Sequence, residues 1–373
     1  MLFLVGVTAS ILLKQDPSAR SVTPEYHRAA ELWWQSRTMY TEGVHGFLYL
    51  PQAAILYSPF AFLRPMLEEV LWRMVGIALL AHGVARLCTH LFGPRWSTAY
   101  FIASALTIVS ALGSAANGQT NLHMAGLFAL AAADLMSKRW WRVALWLMLA
   151  LACKPTAVVM ILLVGAIYLR HMGWRLAIAL LALAALPFLH PHPGYVADQY
   201  RECFAKMTAA AAPPDLFQDI RGLLASFGMR PSEDVLRVVR VCAAAATLIL
   251  CWLASRRFAE PARAMFLLTF GAIYLVLFNP RTEGLSYVIL GVPVALWAAR
   301  ELLDARWPRD WRVASGVFLV AFCLSMQFST QITGGEKNYW VRPLGAALFA
   351  ALVIAELAIG RSRWVRPAPV TAP

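Results

Sequence analysis

Hydrophobic residues in this chain are gathered into blocks rather than scattered. Apolar runs fall at 1–13, 67–92, 98–116, 120–136, 143–153, 156–169, 174–190, 235–255, 263–279, 284–300, 313–331 and 341–360. A helix that crosses a bilayer needs about 20 mostly apolar residues, because each adds about 1.5 Å against a hydrocarbon core of roughly 30 Å. The pattern predicts an all-α polytopic membrane protein of about twelve segments, with residues 1–373 forming a single integral domain. Three stretches stand outside the runs: a long, amphipathic first loop (14–66), a second long loop (190–234) and a tail (361–373). No internal repeat is visible. Met1–Leu13 is short for a span, and it lacks the basic start and small-residue cleavage site of a secretory signal, so no cleaved leader is expected.

Composition sharpens this picture. The chain is 60% hydrophobic and only 14% charged, against about 25% charged in soluble domains. A formal net charge of +13 would suit nucleic acid, but the basic residues sit in short connections, as they do in the cytoplasmic loops of membrane proteins. No nucleic-acid partner is expected. Those connections are GPRWS (93–97), SKRWWR (137–142), RHMGWR (170–175), RRFAEPAR (256–263), ELLDARWPRDWR (301–312) and the tail. The positive-inside rule puts them, and both termini, in the cytoplasm of a multi-pass cell-membrane protein. The six cysteines show no CxxC or Cys/His spacing that would hold zinc, and no metal site is assigned.

One run does not fit a simple span. A single helix through 143–169 would place SKRWWR and RHMGWR on opposite sides of the membrane. Two half-helices, up and back, place them on the same side with Lys154, Pro155 and Thr156 at the apex. Arms of about 11–14 residues rise roughly 16–21 Å, so the apex ends within the membrane thickness. Non-helical backbone at that depth is tolerated only inside protein or beside a water-filled cavity. An ionisable residue there marks a functional site by default.

The face opposite the basic loops collects the polar sequence. It receives the first loop, NGQTN (117–121), the Lys154 apex, the second loop, NPRTEG (279–284) and TQITGGEKNYW (330–340). In the first loop EYHRAAELWWQ reads as a helix suited to the headgroup layer, and HGFLYLPQAAILYSPFAFLRP, cut by Pro51, Pro59 and Pro65, reads as interfacial or re-entrant. An amphipathic platform beside a polar cavity suits a lipid-linked substrate, whose tail stays in the bilayer while its headgroup meets polar side chains.

The order YHRAAELWWQSRTMY…HGFLYLPQAAILYSPFAFL, NGQTN, ACKPT, NPRTEGLSYVIL resembles the GT-C fold glycosyltransferases that use polyprenyl-phosphate sugars, in particular glycosyltransferase family 87. The resemblance spans roughly 20–300, with NGQTN followed by ACKP its most specific part. It implies a membrane enzyme that moves a sugar, a hexose such as mannose or a pentose, from a polyprenyl phosphate to a hydroxyl outside the membrane. It further implies inversion, an acidic base in the first outer loop, and a glycolipid, polysaccharide or protein acceptor. The sequence departs from the family where the aspartate about four residues before the tyrosine matching Tyr26 is replaced by Val22. Asp16, directly after the first run, is then the leading candidate base, and Glu25 the second, with Glu31 also nearby.

The chemistry of such a transfer needs a base within reach of the acceptor proton and fixed positive charge on the departing phosphate. Lys154 and Arg281 supply that charge, the latter able to bind bidentately. The amides of Asn117, Gln119 and Asn121 suit sugar hydroxyls, Tyr26 carries the family motif, and Glu283 is a possible partner of Lys154 or a third candidate base. His190 and His192 read as a helix-ending loop, and His82, Arg86, Asp134 and Glu356 as structural groups near inner helix ends. No dinucleotide fingerprint is present, and no cofactor is assigned. Two rival readings of the pattern are a secondary transporter or lipid flippase, whose broken helices carry ionisable residues, and a non-catalytic relative that binds lipid-linked sugar.

Overall fold

A computed structural model describes residues 2–14, 21–41, 46–209, 217–304, 308–335, 338–360 and 364. Among these, all regular structure is helical. The chain order is α1 (Leu2–Lys14), α2 (Thr23–Trp34), α3 (Pro51–Ala61), α4 (Pro65–Phe92), α5 (Trp96–Asn117), α6 (Asn121–Met136), α7 (Trp140–Cys153) and α8 (Val158–Ile167). It continues with α9 (Leu169–Ala185), α10 (Pro193–Ala209), α11 (Ile220–Ser226), α12 (Glu233–Arg257), α13 (Ala262–Leu277), α14 (Val288–Leu303), α15 (Arg309–Ile332) and α16 (Val341–Ile359). Each of the twelve apolar runs corresponds to one helix. Six helical stretches among the described residues are long and apolar enough to cross a membrane: 65–117, which is α4 and α5 joined by a short turn, and those built on α9, α12, α14, α15 and α16. The shorter apolar helices are α6, α7, α8 with its leading turn, and α13.

Burial sorts these helices into an inner and an outer set. In α14, 83% of the apolar window is buried, against 11% in α12. An all-round apolar helix suits either a protein core or lipid, and here the two helices take opposite environments. The inner helices approach closely because glycine faces glycine or a small side chain. A side chain at Gly126 of α6 would sit 2.5 Å from the backbone of Leu79 and Leu80 on α4, and one at Gly83 would sit 2.7 Å from Ala129. At the end carrying the basic connections, Asp134 accepts from Arg86 and Arg142, each at 2.9 Å, and Arg300 bonds Glu356 at 2.6 Å. These are structural pairs, as their positions near helix ends predict.

The half-helix pair is present. Lys154 ends α7 in an extended conformation (φ −160°, ψ 132°), and Pro155 opens a single 3₁₀ turn that leads into α8. Proline is tolerated at the first position of a turn, where its missing N–H has no intrahelical partner. The far ends of the two arms come together: Trp140 stacks on His171 with ring centroids 4.7 Å apart and lies 5.8 Å from Tyr168. A straight helix over 140–168 would separate those ends by roughly 42 Å.

Two of the three prolines expected to interrupt the first long segment instead start helices, Pro51 in α3 and Pro65 in α4, while Pro59 lies inside α3. In α2 the buried residues Tyr26, Ala29, Ala30 and Trp33 recur at one helical face. They join Tyr57, Trp72, and Val196 and Cys203 of α10 in a second apolar core separate from the main bundle. The described parts of the two long segments, α2 and α3 in the first and α10 in the second, therefore pack against one another. His190 sits in this layer, with its ring centroid 5.0 Å from Trp33 and its Nδ1 accepting from the His192 amide at 3.2 Å.

Candidate functional site

The turn between α5 and α6 is where the site begins. Gly118 ends α5 in the left-handed region (φ +73°), which glycine enters without steric cost. Trp72 of α4 donates its indole N–H to the Gly118 carbonyl at 2.9 Å, and Arg73 donates to the carbonyls of Ala115 and Ala116 at 2.9 and 3.0 Å. The Asn117 carbonyl accepts from Val22 of the α2 entry at 3.0 Å. Arg73 is itself held by Glu69, which also accepts from Ser21 and Thr23. The freed carbonyls of the α5 terminus are thus satisfied by α2 and α4 rather than by water, and the turn is fixed from behind.

From that turn a polar chain runs forward. Lys154 Nζ donates to Asn121 Oδ1 at 3.0 Å. An ammonium offers no acceptor, so Asn121 must face it with oxygen. Its Nδ2 is then left to donate to Gln119 Oε1 at 2.6 Å and Ser286 Oγ at 3.2 Å. Gln119 in turn donates from Nε2 to Glu283 at 2.8 Å. Two amides therefore connect an ammonium to a carboxylate, each with its dipole aligned. Lys154 is partly exposed, and Asn121 is the hydrogen-bond acceptor it meets among the described residues.

Arg281 and Glu283 come from the turn between α13 and α14, with Arg281 at φ +62°. Its guanidinium lies 5.7 Å from the ring of Phe217, and both Arg281 and Glu283 are within electrostatic reach of Lys154. Thr282 is buried and its carbonyl accepts from the Gln218 amide at 2.8 Å, which pins the turn to the segment before α11.

Tyr26 faces the same turn from α2. Its hydroxyl lies 3.0 Å from that of Tyr49, and both phenols feel the polar groups of Thr120. Burial pushes both phenols above their usual range, so they remain protonated. Glu25, the neighbouring residue, is exposed and 3.9 Å from Arg28. It looks toward Gly46, where a methyl group would lie 3.8 Å from both the Glu25 carboxylate and Lys206 Nζ. Lys206 is buried and donates to the Thr41 carbonyl at 2.6 Å. Burial lowers its pKa, Glu25 raises it, and Arg28 and Arg281 lower it.

The fold thus brings Gln119, Asn121, Lys154 and Glu283 into one hydrogen-bonded chain, with Arg281 and Tyr26 beside it. The Asn117 carbonyl bonds Val22 instead, and Glu25 stands at the edge with Lys206. Asp16 lies outside the described residues. Among the described residues no three His, Cys, Asp or Glu side chains group as metal ligands. Sequence reasoning missed Tyr49, Thr120, Lys206 and Ser286. For Lys206 a signal existed: it falls on the stripe Val196, Gln199, Cys203, Lys206 that α10 buries, an unusual place for an ammonium.

The sequence model of glycosyltransferase family 87 matches residues 47–280. That range contains NGQTN, Lys154 and Lys206, and stops short of Tyr26, Arg281 and Glu283. No curated protein matches the chain. Among solved structures, ArnT from Cupriavidus metallidurans in its apo state is similar over 90% of this chain and 72% of its own, with 15% sequence identity and a TM-score of 0.45.

Proposed function

The chain belongs to glycosyltransferase family 87 and is a multi-pass membrane glycosyltransferase of the GT-C type, and on that premise we propose that it moves a hexose from a polyprenyl phosphate to an acceptor hydroxyl at the outer membrane face. Mannose is the first donor to test, and the acceptor is a glycolipid, polysaccharide or protein. The observation that carries this reading is Lys154, held at a helix break by Asn121 and backed by Gln119 and Glu283. A fixed ammonium stabilises the charge that develops on a departing phosphate. Arg281 is its second cation. The amides of Asn117, Gln119 and Asn121 take sugar hydroxyls, with Tyr26 beside them.

The acceptor oxygen attacks the anomeric carbon from the side opposite the phosphate. The carbon–oxygen bond to phosphate breaks and its electron pair leaves with the phosphate. The acceptor proton passes to a carboxylate, and the configuration inverts. Asp16 is the first choice for that base and Glu25 the second, because Glu25 is already accounted for by Arg28 and Lys206. Glu283, engaged by Gln119, is third.

The test is incubation of purified protein with radiolabelled polyprenyl-phosphate mannose and membrane-extracted acceptors. Transfer that falls about 10²–10⁴-fold in Asp16→Asn, with donor binding retained, identifies the base. Full activity in both Asp16→Asn and Glu25→Gln removes both from that role. Donor binding without transfer in the wild-type protein, over a range of sugars and acceptors, favours the binding-protein reading instead.

A further inference from the structure

At the membrane end opposite the polar site, a groove of about 600 Å³ runs along α15 from the last turn of α14. Its walls are apolar for most of their length: Val313, Gly316, Val317, Val320, Ala321 and Leu324 follow one another along one face of α15. Val313 and Val317 are 56% and 64% exposed, so this face has no protein partner among the described residues. Gly316 hollows the groove, with the Glu301 Cβ approaching to 3.7 Å of where its own Cβ would stand. From Arg309 to Leu324 the helix rises about 22 Å, more than one leaflet of a core roughly 30 Å thick.

One end of the groove is chemically different. Arg309 and Arg312 line it there. Arg312 gives one N–H to the Glu301 carbonyl at 3.1 Å. Neither arginine has an ion-pair partner among the described residues. The carboxylates nearby are Glu301, which is bonded by Arg300 at 2.9 Å, together with Asp304 and the exposed Asp310. A third guanidinium stands at this level, since Arg95 donates to the Leu303 carbonyl at 2.7 Å.

We infer that this groove is a binding site for an anionic glycerophospholipid, with its phosphate at Arg309 and Arg312 and an acyl chain along Val313, Val317, Val320 and Leu324. The assignment follows from charge complementarity. A groove open to the bilayer is filled by lipid chains whatever their headgroup, but two cations without carboxylate partners at its mouth select a negative one. Basic clefts between membrane helices bind anionic headgroups on the same physical basis. The inference is independent of the glycosyltransferase chemistry, because no residue of the polar site takes part.

The experiment uses delipidated full-length protein in detergent, titrated with phosphatidylglycerol or phosphatidylcholine and read by thermal unfolding and by native mass spectrometry. Phosphatidylglycerol is expected to bind more tightly and to raise the Tm further, with a preference that shrinks as salt rises. Arg309→Gln, which removes a side chain without a protein ion pair, should weaken phosphatidylglycerol about fivefold and leave phosphatidylcholine unchanged. Arg309→Lys should retain most of the preference. Val317→Trp, which fills the groove, should weaken both lipids while donor transfer at the opposite face continues. Equal binding of the two lipids overturns the inference, as does an undiminished preference in Arg309→Gln.

Discussion

Lys154 concentrates the physical argument at the scale of single residues. Its ammonium is held at a helix break by one amide oxygen, and insertion scales put the cost of a charge at bilayer depth at about 2.5–3.5 kcal/mol. The arrangement is therefore expected to matter for chemistry more than for folding. Lys154→Ala should abolish transfer while the protein inserts and purifies normally. Lys154→Arg should recover transfer only in part, because a planar fork replaces a compact point charge at a site shaped for the latter. Kinetic assay of both variants, with size-exclusion profiles as the folding control, settles the matter: near-normal turnover in Lys154→Ala would leave the lysine a structural role. Asn121→Leu tests the next link. It removes the amide that bonds Lys154, Gln119 and Ser286, and should lower activity while leaving an ammonium in place.

Helix ends and helix contacts carry the next level. Arg73 joins three elements, since it bonds Glu69 on its own helix and caps the carbonyls that close α5 beside the α2 entry. Breaking a buried pair from one side leaves an uncompensated charge, at a cost of about 3–5 kcal/mol. Arg73→Met should accordingly lower thermal stability in detergent and also activity, because NGQTN loses its backing. Replacing both partners, as in Arg73→Met with Glu69→Leu, should restore stability before it restores activity. The contact between α4 and α6 depends on absence of side chains. Gly126→Ala places a methyl 2.5 Å from the backbone of α4, and overpacking of this kind costs typically about 1–3 kcal/mol. An unchanged Tm in Gly126→Ala would mean that the two helices slide apart without penalty.

At the scale of the whole molecule, loop charge predicts which end faces out. The polar site and the basic connections lie at opposite ends of the bundle, and the positive-inside rule then orients the polar site outward. In a cysteine-free background, Gln331→Cys and Arg230→Cys, both at exposed positions, should react with a membrane-impermeant thiol reagent on intact cells. Arg139→Cys and Arg170→Cys, exposed just before α7 and in the first turn of α9, should react only after permeabilisation. Labelling of 139 and 170 from outside would invert the protein and place the proposed reaction in the cytoplasm. If the proposed donor site and the inferred lipid groove both hold, they lie at opposite ends of the bundle, and lipid composition is expected to change stability without touching the site.

Local pattern carried a good part of this molecule. The apolar runs predict every helix of the bundle, and the paired basic connections on either side of 143–169 predict the break at Lys154, because helix length and loop charge are properties of adjacent residues. NGQTN, Lys154 and NPRTEG were each visible as polar residues out of place. What the sequence did not contain was which of them meet. Gln119 and Glu283 are 164 positions apart, and Lys206 and Thr41 are 165 apart, and such pairings depend on which helices are neighbours. Nor could pattern tell inner helices from outer ones. Apolar α12 faces outward and α14, also apolar, is enclosed, because lipid is as apolar as a protein core and hydrophobicity does not drive membrane helices together. Close contacts at Gly83 and Gly126, together with polar bonds between segments, decided that arrangement, and only the tertiary structure brings those together.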